Sequence, residues 1–271
     1  MSERIISLSE RFFNVPLALL PARAPTLLEG LRASRGPAAM AGAGQVDRRP
    51  YDVVDGVAVV PIQGILLHGD ACWWGEMSYS AITDCLVMAL ADPEVRAIAL
   101  HVDSPGGEVA GCFDLADTIF AMRGLKPIVA IVDENAYSAA YALASAADQI
   151  FVPKTGGVGS IGVITMHVDV TKALEQFGMK VTTIQFGSHK SDSYPTTPLS
   201  DEARALMQTD IDALGEMFVS LVARNRGITP EAVRSTQAGT FLGEAGVAAG
   251  LADAVMAADD AFLMLIKQIA A

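Results

Sequence analysis

The chain has 271 residues, a formal charge of −12 and 51% hydrophobic residues. That acidity excludes a protein built to grip nucleic-acid phosphates, which rewards clustered Lys and Arg, while the apolar content suffices for one large domain with appendages. The three cysteines, Cys72, Cys85 and Cys112, are odd in number and lack ligand spacing, so they read as small buried hydrophobes of a reducing compartment rather than a disulfide framework or zinc site.

Residues 1–31, "MSERIISLSERFFNVPLALLPARAPTLLEGL", read as an N-terminal helical arm. Charges and prolines interrupt it well short of the roughly 18–20 apolar residues that span a bilayer, and it lacks the form of a signal peptide. No transmembrane segment and a cytoplasmic location are therefore expected. Its Phe12, Phe13, Leu17, Leu19 and Leu20 need burial, most simply against another protomer. Residues 32–50, rich in Gly, Ala, Pro and Arg without periodicity, read as a linker.

From residue 53 the patterns alternate. "VVDGVAVVPIQGIL" predicts a strand, "YSAITDCLVMALADP" a helix ending at Pro93, "VRAIALHVDSPGG" a buried strand closing in a Gly-rich turn, and "EVAGCFDLADTIFAM" a helix opened by Glu108. "KPIVAIVDE" is a strand, "SAAYALASAA" a helix and "DQIFVPK" a strand. "GSIGVITMHVDV" follows as a strand, "TKALEQFG" as a short helix and "MKVTTIQFG" as a strand. A long helix covers 200–226, with Leu206, Ile211, Leu214, Phe218, Leu221 and Val222 as its apolar stripe, and a last helix covers 257–271. Alternation of this kind predicts an α/β domain with a largely parallel sheet, whose site lies beyond the C-terminal strand ends. "DSPGG" and "DENAYS" both fall there.

"HVDSPGGEV" is at its simplest a tight βα turn; its glycines also let backbone N–H groups approach a ligand, though neither GxGxxG nor a Walker pattern is present. Ser138 stands where an apolar run becomes helical. A serine there caps the helix, or acts as a nucleophile beside the Ala139 N–H as an oxyanion donor, and the two roles are compatible. A nucleophile needs a base. His68, His101, His167 and His189 are available, and a Ser-His-Asp set using His167 or His189 stays open by spacing. Lys190 is the other base. It must be neutral to accept a proton, which near pH 7 requires burial or neighbouring positive charge. Ser160, in "GVGSIGVI", is a hydroxyl suited to orient it; a solvated loop lysine is the plainer reading.

"VDSPGGEV", "AYSAAYALASAADQIFVPKTGGVGSIGVI", "FGSHKSD" and "FLGEAGVAAGLAD" occur in this order. Together they resemble the S49 serine peptidases, the family of signal peptide peptidase A and of phage head-maturation proteases of the minor capsid protein C type. The resemblance covers about residues 53–256 and implies a peptidase domain at 51–256 with a Clp/crotonase-like spiral of βαβ units. It implies Ser138 as nucleophile, Lys190 as general base, Ser160 as the group orienting the lysine, and an oxyanion site at the backbone of Gly106 or Gly107 with Ala139. It implies no metal or cofactor, and assembly into homo-oligomeric rings in which serine and lysine come from one protomer or two.

Ala139 stands where the family commonly has glycine, and still supplies its N–H. "AGTFLG" replaces an arginine-bearing motif and resembles the phage-type branch, as do "NVPLALLPARAPTLLEGL" and "VARNRGITPEAV". The function implied is a Ser-Lys endopeptidase acting through an acyl-enzyme in capsid or prohead maturation, with capsid, portal or scaffold proteins as partners and substrates. Degradation of membrane-derived peptides and an inactive ring protein are the alternatives. An enoyl-CoA hydratase-like enzyme would instead need acidic groups such as Glu108 or Glu134 at the oxyanion site. An Ala- and Gly-rich pocket suits small apolar residues at the cut.

Overall fold

The computed structural model describes residues 15–19, 49–69 and 76–270. Most of the 1–31 arm, nearly all of the 32–50 linker, and Cys72 lie outside the described residues. Within the arm, Leu17–Leu19 form a strand, β1, where a helix was expected. Pro16 precedes it, and Leu17 donates its N–H to a carbonyl on another segment rather than to a helical partner.

The run beginning at residue 53 is a hairpin. β2 (Asp52–Val54) turns through Asp55 and Gly56, both at positive φ (51° and 85°), into the long β3 (Val57–Leu67), as a two-residue loop of the Asp-Gly kind requires. β4 (Glu76–Ser78) leads into α1 (Tyr79–Ala91), where the Ser78 hydroxyl accepts the Ala81 N–H at 3.1 Å, and the helix stops before Pro93. Then come β5 (Ala97–Glu108), α2 (Cys112–Met122), β6 (Ile128–Tyr137), α3 (Ala139–Ser145), β7 (Gln149–Val152) and β8 (Gly157–Gly159). After α4 (Thr171–Gln176) the long α5 (Asp201–Arg226) is followed by α6 (Pro230–Ser235), β9 (Thr240–Leu242), α7 (Gly243–Ala248), β10 (Ala254–Val255) and α8 (Ala258–Ala270).

The result is the mixed α/β architecture that the alternation predicts. The sheet runs β10-β7-β6-β5-β3-β2, and all its neighbours are parallel except the β2–β3 hairpin. β4 joins β3 and β8 joins β6, both parallel; β9 on β8 and β1 on β5 are antiparallel. Central strands such as "VAVVPI" and "IVAIV" are aliphatic throughout because helices cover both faces. On one face α1, α2, α3 and the C-terminal half of α5 enclose the main core. On the other, Ala261 and Leu265 of α8 pack on Val57, Ala97, Ala99, Val129, Ile131 and Phe151.

Helix α5 begins at the Ser200 cap and ends at Gly227 in the left-handed region. Its predicted stripe is only half used. Phe218, Leu221 and Val222 are buried, whereas Leu206 is 46% exposed. Phe218 stands 5.5 Å from Phe113, ring centre to ring centre. Phe218→Ala is expected to lower stability by about 3–5 kcal/mol, through lost burial and the cavity left; urea denaturation with an unchanged m-value checks it.

Three further elements depart from the sequence expectation. Glu108 ends β5 instead of opening a helix, and the glycines of "DSPGG" lie within the strand instead of a βα turn, because Gly106, Gly107 and Glu108 stay in register with β3 or β1. "GSIGVITMHVDV" contributes only the end of β8 and a single bridge at Ile164, and "MKVTTIQFG" forms no strand. Both have strand-like side-chain patterns, yet a strand also needs a paired edge, and residues 179–190 are exposed throughout.

Candidate active site

Ser138 is set by the junction of β6 and α3. Its backbone has φ 54° and ψ −119°, a left-handed, strained conformation for a residue with a Cβ. Two bonds hold it there: the Ser138 N–H donates to Gly159 O at 2.8 Å, and its carbonyl accepts from the Ala142 N–H at 2.9 Å. The side chain makes no capping bond to the helix, and its hydroxyl reaches toward Gly162 O only at 3.5 Å. Capping therefore does not explain this serine. Ala139, the first residue of α3, has an N–H beyond the reach of any intrahelical acceptor.

The helix behind Ser138 is anchored by residues that sequence reasoning missed. Arg123 donates to Ala146 O at 2.8 Å and Ser145 O at 3.0 Å, satisfying carbonyls at the end of α3, and Asn225 donates its side-chain N–H to the Ser145 hydroxyl at 3.0 Å. The Tyr141 hydroxyl donates to Leu251 O at 2.9 Å. The Cys112 thiol, pushed up to about 12 by burial, donates to Ala139 O at 3.7 Å. Cys85 and Cys112 are thus the buried thiols expected.

Ser160 lies beside Ser138. β6 and β8 are parallel with Tyr137 opposite Gly159, so the residues that follow each strand emerge side by side. Ser160 is also at φ 54° and buried, and donates its N–H to Gly239 O at 2.8 Å. The Gly106–Gly107 pair near the end of β5 completes the cluster. A methyl built on Gly106, at φ 102°, would stand 3.0 Å from Ser138 Cβ, and one built on Gly107 would stand 1.8 Å from Leu66 O. Only glycine permits this approach. The Gly106 N–H donates to the Ser104 hydroxyl at 3.1 Å.

Lys190 is not gathered with these groups. Ser138 is 1% exposed, whereas Lys190 belongs to the exposed stretch 179–190, in which Ile184 and Phe186 are almost wholly in solvent. Three of the four histidines are engaged elsewhere: His101 with Asp133 and Gln63, His167 with Tyr194 O at 3.2 Å, and His189 with Asp192 at 2.8 Å. The acidic groups are likewise occupied. Glu108 Oε2 accepts the His68 backbone N–H at 2.8 Å, and exposed Glu134 accepts the Thr155 hydroxyl at 3.1 Å. One chain thus brings together a strained serine, a neighbouring hydroxyl and a close-packed pair of strand glycines, and leaves the lysine outside.

Comparison with known proteins bears on this cluster. The Peptidase family S49 profile matches residues 121–270. The chain is 39% identical to the head-tail preconnector protein GP5 of Enterobacteria phage P21 over 93% of its own length and 55% of that protein. It is 35% identical to capsid assembly protease C of Escherichia phage lambda, over 93% of its length and 63% of that protein. It therefore spans less than two thirds of either relative. Among solved structures, an enoyl-CoA hydratase/isomerase (crotonase) chain from Legionella pneumophila shares 15% identity at a TM-score of 0.48, with 81% of this chain and 73% of that chain covered.

Proposed function

The chain belongs to peptidase family S49, and on that footing we propose that it is a serine endopeptidase in which Ser138 is the nucleophile and Lys190 the general base. The observation that carries this is Ser138 itself: a buried serine at φ 54°, free of any capping bond, with Gly106 packed against its Cβ. Strain of this sort persists where the surroundings over-determine it, and it concentrates at functional sites.

In the proposed reaction neutral Lys190 takes the Ser138 proton as Oγ attacks a peptide carbonyl, giving a tetrahedral oxyanion. N–H groups at Gly106 or Gly107 and at Ala139 receive that charge, for which the Gly106 N–H must leave the Ser104 hydroxyl. The protonated lysine then donates to the leaving amine, and water releases the acyl-enzyme. Ser160, beside Ser138 and buried, orients the lysine. Lys190 is presented on an exposed stretch with Ile184 and Phe186, so a second copy of the chain supplies it and the active unit is a homo-oligomer. The phage relatives support a protein substrate in capsid assembly and association with the prohead. No described helix is long and apolar enough to cross a membrane.

Prolonged incubation with a fluorophosphonate, followed by peptide mapping, should place the adduct on Ser138 and on no other serine. An unmodified Ser138 under conditions that label a control serine peptidase would rule the nucleophile out.

A further inference from the structure

β1 lies end-on to β6 in one slot of the sheet. β5 keeps β3 on one edge; its other edge is taken by β6 as far as Ser104, opposite Ala136, and then by β1 from Gly106 to Glu108. The far edge of β1 meets the chain that continues β8. The Leu17 N–H donates to Ile164 O at 2.8 Å, and the Ile164 N–H donates to Leu17 O at 2.9 Å. The Val109 N–H adds a bond to Pro16 O at 3.3 Å. Three residues from a distant part of the sequence are therefore paired to β5, and Leu17 among them is bonded on both edges, immediately beyond Ser138.

Their direction is informative. β1 is antiparallel to β5, so its carboxyl end, Leu19, stands opposite Gly106. A methyl built on Gly106 would meet the Ala18 carbonyl oxygen at 2.2 Å and Ser138 Cβ at 3.0 Å, which puts the strand and the serine against the same face of that glycine. Leu17, Ala18 and Leu19 are all buried. Leu17 and Leu19 pack with Val15, Ile164 and Met166, while Ala18 turns to the main core. Two free backbone edges flanking a nucleophile are what an extended peptide pairs with, the edges giving affinity and alternate side chains giving selectivity.

We propose that Pro16–Leu19 is an internal pseudosubstrate. It fills the acyl-side peptide channel of Ser138, excludes other peptides, and displays the pattern that the channel accepts: large aliphatic, small, large aliphatic. No covalent step is involved, and the proposal rests on the reading of Ser138 as nucleophile given above.

The test uses the full chain carrying Ser138→Ala, with and without Leu17→Asp and Leu19→Asp, and a fluorescein-labelled Val-Pro-Leu-Ala-Leu peptide followed by anisotropy. Emptying the channel raises the fraction of competent sites, so the peptide should bind the chain with the Asp substitutions at least about tenfold more tightly. Equal binding to both chains, or binding to neither, overturns the proposal. If the Asp substitutions prevent folding, amide exchange on the unaltered chain decides. Leu17 should be protected and should lose protection in excess peptide; a Leu17 that exchanges freely overturns the proposal. Neither readout involves serine chemistry. Peptide binding without fluorophosphonate labelling would remove the nucleophile and keep the channel, and the reverse would do the opposite.

Discussion

Ser138→Ala is expected to lower peptide-bond cleavage by about 10⁴-fold or more while the chain stays folded. The loss is large because no other group can form the acyl-enzyme, and what remains is the smaller contribution of binding and oxyanion stabilisation. Folding should be little changed. The left-handed conformation at 138 already includes the strain of a Cβ, and the hydroxyl makes only a 3.5 Å approach to Gly162 O. The measurement is turnover of a capsid-type protein substrate, with thermal unfolding and oligomer mass recorded on the same samples. Retained cleavage in a folded chain would exclude Ser138 as nucleophile.

The second large effect concerns Lys190. Lys190→Ala, with His167 intact, should reduce the rate by about 10² to 10⁴-fold, the usual contribution of a positioned general base. The double substitution with Ser138→Ala should be no worse than Ser138→Ala alone, since residues that act as a unit are not additive. Mixing the two single variants should restore cleavage, because one subunit then offers the serine and the other the lysine. Surviving activity in Lys190→Ala would favour a histidine base. Failure of the mixture to recover would mean that serine and lysine come from the same chain. As the base works as a neutral amine, the rate should fall on acidification; a rate unchanged into acid counts against the pair.

Much of the domain was legible before any coordinates. "VAVVPI", "AIALHV" and "IVAIV" are aliphatic runs too short for helices, and the helical pattern between the first two stops at Pro93, so strands β3, β5 and β6 and their crossovers followed directly. Ser138 stood out as the residue where one pattern gives way to the other. The misreadings share a cause. "MKVTTIQFG" and most of "GSIGVITMHVDV" have strand-like side chains, but a strand is completed by a partner edge that a local pattern does not contain. Leu17–Leu19 erred the other way. Their setting among arm residues read as helical, whereas the edges of Glu108 and Ile164 make them a strand.

By itself, then, the sequence determined the class of fold and singled out Ser138, Ser160, Lys190 and the Gly106–Gly107 pair as the residues of the proposed site. Local propensity and hydrophobic periodicity act over a few residues, and an ordered set of motifs survives at any distance along the chain. Only the tertiary structure decided three further things. It put Ser138 and Ser160 side by side through the β6–β8 register, turned Ser138 away from capping, and seated Pro16–Leu19 in the slot beyond it. Each depends on which backbone edges meet, and hydrogen bonding between edges is specified by the whole sheet, not by any one segment of it.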